Sequence, residues 1–290
     1  MSGERTAIVG AGRMGQGIGL GLAGAGWEVT LLARTERAVP PPLRLMAGPL
    51  PREIVRDAAL VLVATPDDRI GAAATALASA GVGPGHAVLH LSGLLDRTAL
   101  APLAGTGAAL GSFHPLQTVA EPGDAPDRLR GAFAGIEGDA RALAAGRRVA
   151  AALGMTAVPL DPAAKPLYHA GAVFSANYVT AAVGVAERLA REAGVPADLA
   201  ARMYLPLLAG AARNLPDLGT AAALTGPVRR GDVGTIRAHL AALPADVRPL
   251  YRMLGLAALA LAEEAGLAEA PARAVRDVLR EDDGGAAASR

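Results

Sequence analysis

The chain contains no cysteine, which excludes disulfide frameworks, thiolate metal sites and cysteine nucleophiles together. Aromatic residues are scarce at 3%, so packing relies on aliphatic side chains, alanine and the close backbone approaches that 36 glycines permit. Neither sign of charge is in excess: 28 Lys and Arg oppose 27 Asp and Glu, for a formal net charge of +1. Nucleic acid and anionic membrane surfaces are therefore not expected partners. Long apolar runs are missing as well. The richest, Gly255 to Ala262, is too short to span a bilayer, and the start MSGERTAIVGAG lacks the basic opening and apolar stretch of a signal peptide. A soluble, cytoplasmic protein is the expectation. What is abundant is core material, with 52% hydrophobic against 19% charged residues over 290 positions, enough for about two domains.

Short β-type runs alternate with Ala- and Leu-rich stretches through the first half: Ala7–Val9, Val29–Leu32, Leu60–Ala64, Ala87–Leu91, Leu110–Phe113 and Thr156–Leu160. Helical length and period fit Gly15–Ala25, Arg69–Ala80 and Ala140–Leu153 between them. This alternation predicts an α/β fold with a Rossmann-type parallel sheet. After Leu160 the strand signal stops. Helical segments follow at Pro166–Ala193, Pro196–Asn214, Asp232–Leu243, Asp246–Gly266 and Pro271–Arg280, so the second domain is expected to be all-helical. Asp161-Pro162 marks the boundary, because proline disfavours helix at the preceding residue. The expected domains are 1–161 and 162–290, with Asp282–Arg290 as a tail.

Gly10-Ala11-Gly12-Arg13-Met14-Gly15 fits G-x-G-x-x-G directly after the first strand and at the opening of a helix. In that context Gly10 permits a tight turn, Gly12 lets the backbone approach a pyrophosphate, and Gly15 lets helix and strand pack closely. The free N–H groups and positive dipole end of the helix N-terminus favour phosphate there. The second strand ends in Ala33-Arg34-Thr35, without the acid that accepts from ribose hydroxyls in an NAD site. Arg34 offers a planar guanidinium to a 2′-phosphate, with Thr35 and Arg37 close by, so NADP(H) is the expected cofactor.

Polar residues gather at the strand ends where open α/β sheets bind ligands. Thr65-Pro66 follows the third predicted strand and is expected to line the nicotinamide half of the cofactor, while Asp67 and Asp68 read as a helix cap and first-turn carboxylate. Ser92 reads either as a hydrogen-bond partner for a ligand or as a turn serine, and His90 as packed within the sheet. His114, held extended by Pro115, is a candidate to contact nicotinamide or substrate, with Gln117 behind it. Lys165 before Pro166 stands at a helix start, where the dipole would lower its pKa and suit it to donate a proton. His169 lies one turn on and on the same face. Asn177 either touches the site or packs between helices, and Tyr168 reads as core. Farther on, Asp232 reads as a helix cap, and Thr225 and Arg229 either bind an anionic substrate or pair within a helical dimer. No metal site is suggested by five histidines without ligand spacing.

Taken together, Phe113-His114-Pro115-Leu116-Gln117, Tyr168-His169-Ala170 through Asn177-Tyr178, and Thr225-Gly226-Pro227 with Arg230-Gly231-Asp232 resemble a group within the 6-phosphogluconate-dehydrogenase-type superfamily. Its members join a Rossmann-like domain to a helical domain of unknown function. Some are similar to an alternative class of ketopantoate reductase, an NADPH enzyme of pantothenate biosynthesis. The resemblance implies an NADP-dependent oxidoreductase that transfers hydride to a small anionic 2-oxo acid, a dimerising helical domain, and a homodimer. It also implies that Lys165 is the proton donor, since relatives place a lysine at the start of the second domain. Those relatives carry an asparagine four residues later, where this chain has His169. His114-Pro115 is similar to a His-Pro pair of prephenate and arogenate dehydrogenases in which the histidine contacts substrate. Lys165, His169, His114 and Asn177 are thus the expected catalytic set. Reduction of an imine or pyrroline, and a non-catalytic NADP-binding regulatory protein, are the alternatives.

Overall fold

The computed structural model describes residues 4–281. The chain divides into two compact units, the first ending at Asn177 and the second beginning at Tyr178. The tail expected over Asp282–Arg290 lies outside the described residues.

The first unit runs β1 (Arg5–Val9), α1 (Arg13–Gly24), β2 (Glu28–Ala33), β3 (Arg44–Ala47), α2 (Arg52–Asp57), β4 (Leu60–Val63), α3 (Ile70–Ala80), β5 (Ala87–His90), β6 (Ala109–Pro115), α4 (Ala125–Leu129), β7 (Phe133–Gly138), α5 (Ala140–Ala152), β8 (Thr156–Pro159) and α6 (Lys165–Ser175). The eight strands form one sheet in the order β3-β2-β1-β4-β5-β6-β7-β8. The strands from β3 to β6 pair in parallel. β4, Leu-Val-Leu-Val, is buried throughout, as a strand covered on both faces must be. One face packs Ile8, Leu22, Leu31, Phe113, Ile136 and Val149 into a core; the other packs Val61, Val63, Ile70, Leu77, Val88 and Leu103.

The Rossmann-type parallel sheet expected from the sequence is present, with one departure at its far edge. β6 and β7 are antiparallel, and β8 pairs parallel with β7. The connection out of β6 carries a single 3-10 turn at Pro122–Asp124 and the five-residue α4, which lies against α1: a Cβ on Gly17 would meet the Ala125 Cβ at 2.5 Å. The chain therefore re-enters the sheet where β6 ended, and Leu116 N–H donates to Phe133 O at 2.8 Å.

The unit boundary also falls later than Asp161-Pro162. α6 belongs to the first unit, and the helix breaks at Ala176, whose φ of −127° and ψ of −63° leave the helical region. Lys165 accounts for this, since its side chain is anchored among the strands (below).

The second unit holds the rest of α7 (Asn177–Glu192), then α8 (Ala197–Met203), α9 (Leu205–Ala223), α10 (Pro227–Arg230), α11 (Val233–Ala242), α12 (Arg248–Glu264) and α13 (Glu269–Arg280). Its core comes from α10 to α13, with Val228, Ile236, Leu259, Val275 and Leu279 buried together. Asp232 caps α11 by accepting from Thr235 N–H at 3.0 Å, as read from the sequence. Arg229 donates to Ala265 O at 3.0 Å within this unit.

Candidate active site

The turn after β1 is shaped by what its glycines lack. Gly10 has φ +112°, a conformation that L side chains rarely adopt, and a Cβ there would meet Ala64 O at 2.5 Å. Its N–H donates to Leu32 O at 2.8 Å, fastening the turn to β2. A Cβ on Gly15 would strike Gly10 O at 2.2 Å, so helix and turn approach as closely as glycine allows. A Cβ on Gly12 meets no protein atom within 4 Å. Gly12 is the N-cap of α1 without a side-chain cap, so the first-turn N–H groups of Arg13, Met14 and Gly15 have no capping side chain. Arg37 donates to Ala11 O at 3.0 Å, bringing a guanidinium to the turn. Arg34 and Thr35 are exposed just past β2 on the same sheet edge.

A second cluster forms where β5, β6 and β7 lie side by side. Strand register sets His90, Ser112 and Glu137 abreast, and His114 opposite Gly135. Period-two alternation puts Ser112 and His114 on one face of β6 while Phe113 fills the core behind. On α6, Lys165, Tyr168 and His169 are three and four residues apart and share one side.

Lys165 is fully buried at 0% exposure; its Nζ donates to Ser112 Oγ at 2.9 Å and to Ser92 O at 3.2 Å. Ser112 Oγ in turn donates to Glu137 Oε2 at 3.2 Å, which also accepts from Arg97 N–H at 2.9 Å. Tyr168 OH lies 3.1 Å from His114 Nδ1, and the His114 ring meets Tyr168 and His169 edge-on at centroid distances of 5.6 and 5.5 Å. Two glycines make room for these rings: a Cβ on Gly135 would fall 2.8 Å from Tyr168 OH, and one on Gly93 would fall 2.5 Å from His169 Nδ1 and 2.8 Å from His114 Nε2. His169 Nδ1 is buried without a hydrogen-bond partner among the described residues.

Burial dominates the electrostatics. It lowers the Lys165 ammonium from its ordinary range, against the opposing pull of Glu137, Asp96 and Asp67. The direction agrees with the expectation from the sequence, and burial is what produces it here. Burial pushes the Glu137 carboxyl up, opposed by its hydrogen bonds to Ser112 and Arg97 and by Lys165. His90 falls from 6.5 to about 4, chiefly by burial. Ser92 N–H donates to His90 Nδ1, so the neutral ring carries its proton on Nε2 and donates it to Asp96 O at 2.9 Å. His114 also falls to about 4, by burial and then by the charges of His169 and Lys165.

Both shifts predict an acid-sensitive fold. Between pH 6.5 and about 4 the unfolded chain binds protons at these positions that the folded chain refuses. Stability therefore falls as pH drops through that window, levels off below it, and is unaffected by these rings above it. By pH 5 the loss for fully buried His90 is about 2 kcal/mol, with a smaller share from His114. Urea unfolding at pH 7.5 and pH 5 measures it, and equal stabilities would show that the imidazoles are not held neutral.

The structure brings together Lys165, His169 and His114 of the expected catalytic set. Asn177 stands apart from them, exposed at the first residue of α7 and past the break at Ala176. Ser92 has its hydroxyl committed within the protein, donating to Asp67 Oδ2 at 2.7 Å and accepting from Leu94 and Leu95 N–H. Asp67 thus receives Ser92 rather than capping a helix, and Asp68 pairs with Arg69 at 3.3 Å. Gln117 donates to Arg128 O and accepts from Thr118 N–H, away from the rings. Thr65 Oγ1 is buried beside the glycine turn without a hydrogen-bond partner among the described residues, and Pro66 is exposed. Glu137, Gly93, Gly135 and the contact of Tyr168 escaped the sequence reading. The one available signal was an acid directly after the apolar run Phe133-Ala134-Gly135-Ile136.

Lys165 is also the only lysine in the chain; every other one of the 28 Lys and Arg residues is arginine. Arginine cannot lose its proton in a protein, whereas a buried lysine can. The one position that departs from arginine is the one sealed among the strand ends.

A Rossmann-like sheet unit is followed here by a helical unit, and two family models match the chain. Residues 3–115 match the Rossmann-like domain, and residues 132–280 match the family described as Domain of unknown function (DUF2520). That match covers half of the chain, and the protein belongs to this family. No curated protein matches significantly. Among solved structures, a protein from Thermotoga maritima is similar over 89% of this chain and 98% of its own, at TM-score 0.66 and 23% identity. Plasmodium falciparum pyrroline carboxylate reductase with NADP bound overlays 96% of this chain and 99% of its own, at TM-score 0.64 and 11% identity. A pyrroline-5-carboxylate reductase from Coxiella burnetii overlays 91% and 99%, at TM-score 0.59 and 16% identity. At these identities the likeness is one of fold.

Proposed function

We propose that the chain is an NADP(H)-dependent oxidoreductase that reduces a polar double bond, with Lys165 as the proton donor. The observation that carries this reading is the sole lysine, buried where β5 and β6 end beside His114 and His169. An ammonium has three N–H bonds. Two are given to Ser92 O and Ser112 Oγ, which leaves one for a substrate atom that gains negative charge. Tyr168 holds His114 Nδ1, leaving Nε2 to orient substrate, and His169 Nδ1 offers a second unpaired nitrogen.

The glycine turn fits a dinucleotide. The space where a Gly12 Cβ would stand is open, and the first-turn N–H groups of α1 have no capping side chain, as a pyrophosphate requires. Arg34, with Thr35, would receive the 2′-phosphate, and Thr65 and Pro66 would flank the nicotinamide. The reduced cofactor supplies a hydride to carbon, and Lys165 gives its proton to the oxygen or nitrogen of the same double bond. One hydride and one proton complete the two-electron reduction.

A small 2-oxo acid, ketopantoate first, is the proposed substrate. Imine or pyrroline reduction is the second reading, favoured by the whole-chain likeness in fold to the Plasmodium pyrroline carboxylate reductase. NADPH consumption with ketopantoate, other 2-oxo acids and cyclic imines decides between them. NADPH binding without turnover on this panel would replace both with a regulatory, cofactor-sensing role. In the same assay Arg34→Ala is expected to raise the KM for NADPH about 10- to 100-fold, the worth of a charged hydrogen bond, and to leave that for NADH unchanged. Equal effects on both cofactors would remove Arg34 from the 2′-phosphate site. A homodimer belongs to this reading; α9 buries none of its residues, and Leu207 is 71% exposed.

A further inference from the structure

A buried amine loses its charge easily, so a lysine that must deliver a proton needs something to keep it protonated. The groups facing Lys165 come from several elements. His90 on β5 and His114 on β6 are held neutral by burial and contribute no lasting charge. Asp67, beyond β4, is exposed and occupied by Ser92. Asp96, in the loop after β5, accepts from Thr98 N–H and hydroxyl. Glu137 on β7 differs from both acids. It is 2% exposed, so its charge is little screened. Its Oε2 accepts from Ser112 and Arg97, while its Oε1 has no donor among the described residues.

The Ser112 hydroxyl has a direction. It accepts from Lys165 Nζ and passes its own hydrogen to Glu137, so N–H···O–H···O runs from cation to carboxylate. A protonated amine and an ionised carboxylate both fit that order of donors. We propose that Glu137, acting through the Ser112 hydroxyl, is the positioning residue that keeps the Lys165 amine protonated and aimed, and so sets the pH range over which the chain delivers a proton. This deepens the reading of Lys165 as proton donor and rests on it for its catalytic meaning, but its physical content can be read without any substrate.

The single lysine makes that reading direct. Protein grown with lysine labelled with carbon-13 at Cε gives one lysine Cε resonance, whose shift follows protonation of the amine. In Glu137→Gln the midpoint is expected to fall by about one pH unit or more, the usual effect of removing an opposite charge at this range. Ser112→Ala is expected to move it the same way by less, and Glu137→Asp to restore part of the shift. The alkaline limb of kcat/KM should move down with the midpoint in each variant. An unchanged Cε midpoint in folded Glu137→Gln overturns the proposal, even where reduction of a substrate is established. Should Glu137→Gln not fold, an unchanged midpoint in Ser112→Ala does the same. A shifted midpoint in a protein that reduces nothing on the panel upholds Glu137 as the holder of the lysine's charge and removes the reductase reading alone.

Discussion

Lys165→Met is expected to lower kcat/KM about 10²- to 10⁴-fold, the usual span for loss of a general acid, and to leave NADPH affinity within about threefold of the parent, a bound set by the roughly 1.4 kcal/mol that makes a tenfold change. The same change should destabilise the first unit, because it strands Glu137 as a buried carboxylate whose remaining donors are the Ser112 hydroxyl and the Arg97 N–H. Breaking a buried charge pair costs about 3–5 kcal/mol, less here to the extent that Glu137 takes up a proton. Stability and turnover then separate in the double variant. Lys165→Met with Glu137→Gln should regain most of the lost stability, as replacing both members of a buried pair tends to do, and none of the activity. Urea unfolding and NADPH oxidation on the three proteins give the comparison. Turnover in Lys165→Met within a few-fold of the parent would place the proton donor elsewhere, with His169 next in line.

The second large effect separates two glycines two residues apart. Gly10→Ala puts a Cβ 2.5 Å from Ala64 O and 2.7 Å from Ala64 C, and demands φ +112° of an alanine. Both obstacles are backbone, so the turn must move. Forcing a side chain into such a conformation costs about 1–3 kcal/mol before the clash is counted, and NADPH binding should be lost with the turn. Gly12→Ala meets no protein atom within 4 Å. Its unliganded melting temperature should match the parent, while the rise in melting temperature with NADPH shrinks because the methyl stands where the pyrophosphate would lie. Thermal melts with and without NADPH read both variants. If NADPH protects Gly12→Ala as fully as the parent, no dinucleotide lies over this turn.

Much of this architecture was legible because the responsible signals are local. Leu60–Val63 is a continuous apolar run, as a doubly covered strand must be, and the glycine turn is a contiguous motif between a strand and a helix. β7 was not legible. Phe133-Ala134-Gly135-Ile136-Glu137-Gly138 has two glycines and an acid, all poor strand formers, and its glycine and acid are there for Tyr168 and Lys165 rather than for the strand. Missing β7 hid the antiparallel turn of the sheet and with it Glu137. The candidate site was half legible for the same reason. Lys165 and His169 share a helix face that spacing reveals, and His114 precedes a proline at a strand end. The part played by Gly93 is an absence of side chain beside residues distant in sequence. Whether Asn177 touches the site or packs between helices depended on the helix break at Ala176, which spacing alone does not reveal.

The enclosure of the single lysine also governs how the protein meets reagents and enzymes that acylate amines. Positive side chains elsewhere are guanidinium groups, which such agents do not attack, and the one ε-amine is 0% exposed. Amine chemistry at a side chain can therefore proceed only when Lys165 is uncovered, as it must be for a substrate too, so the extent of acylation at Lys165 becomes a clock for that uncovering.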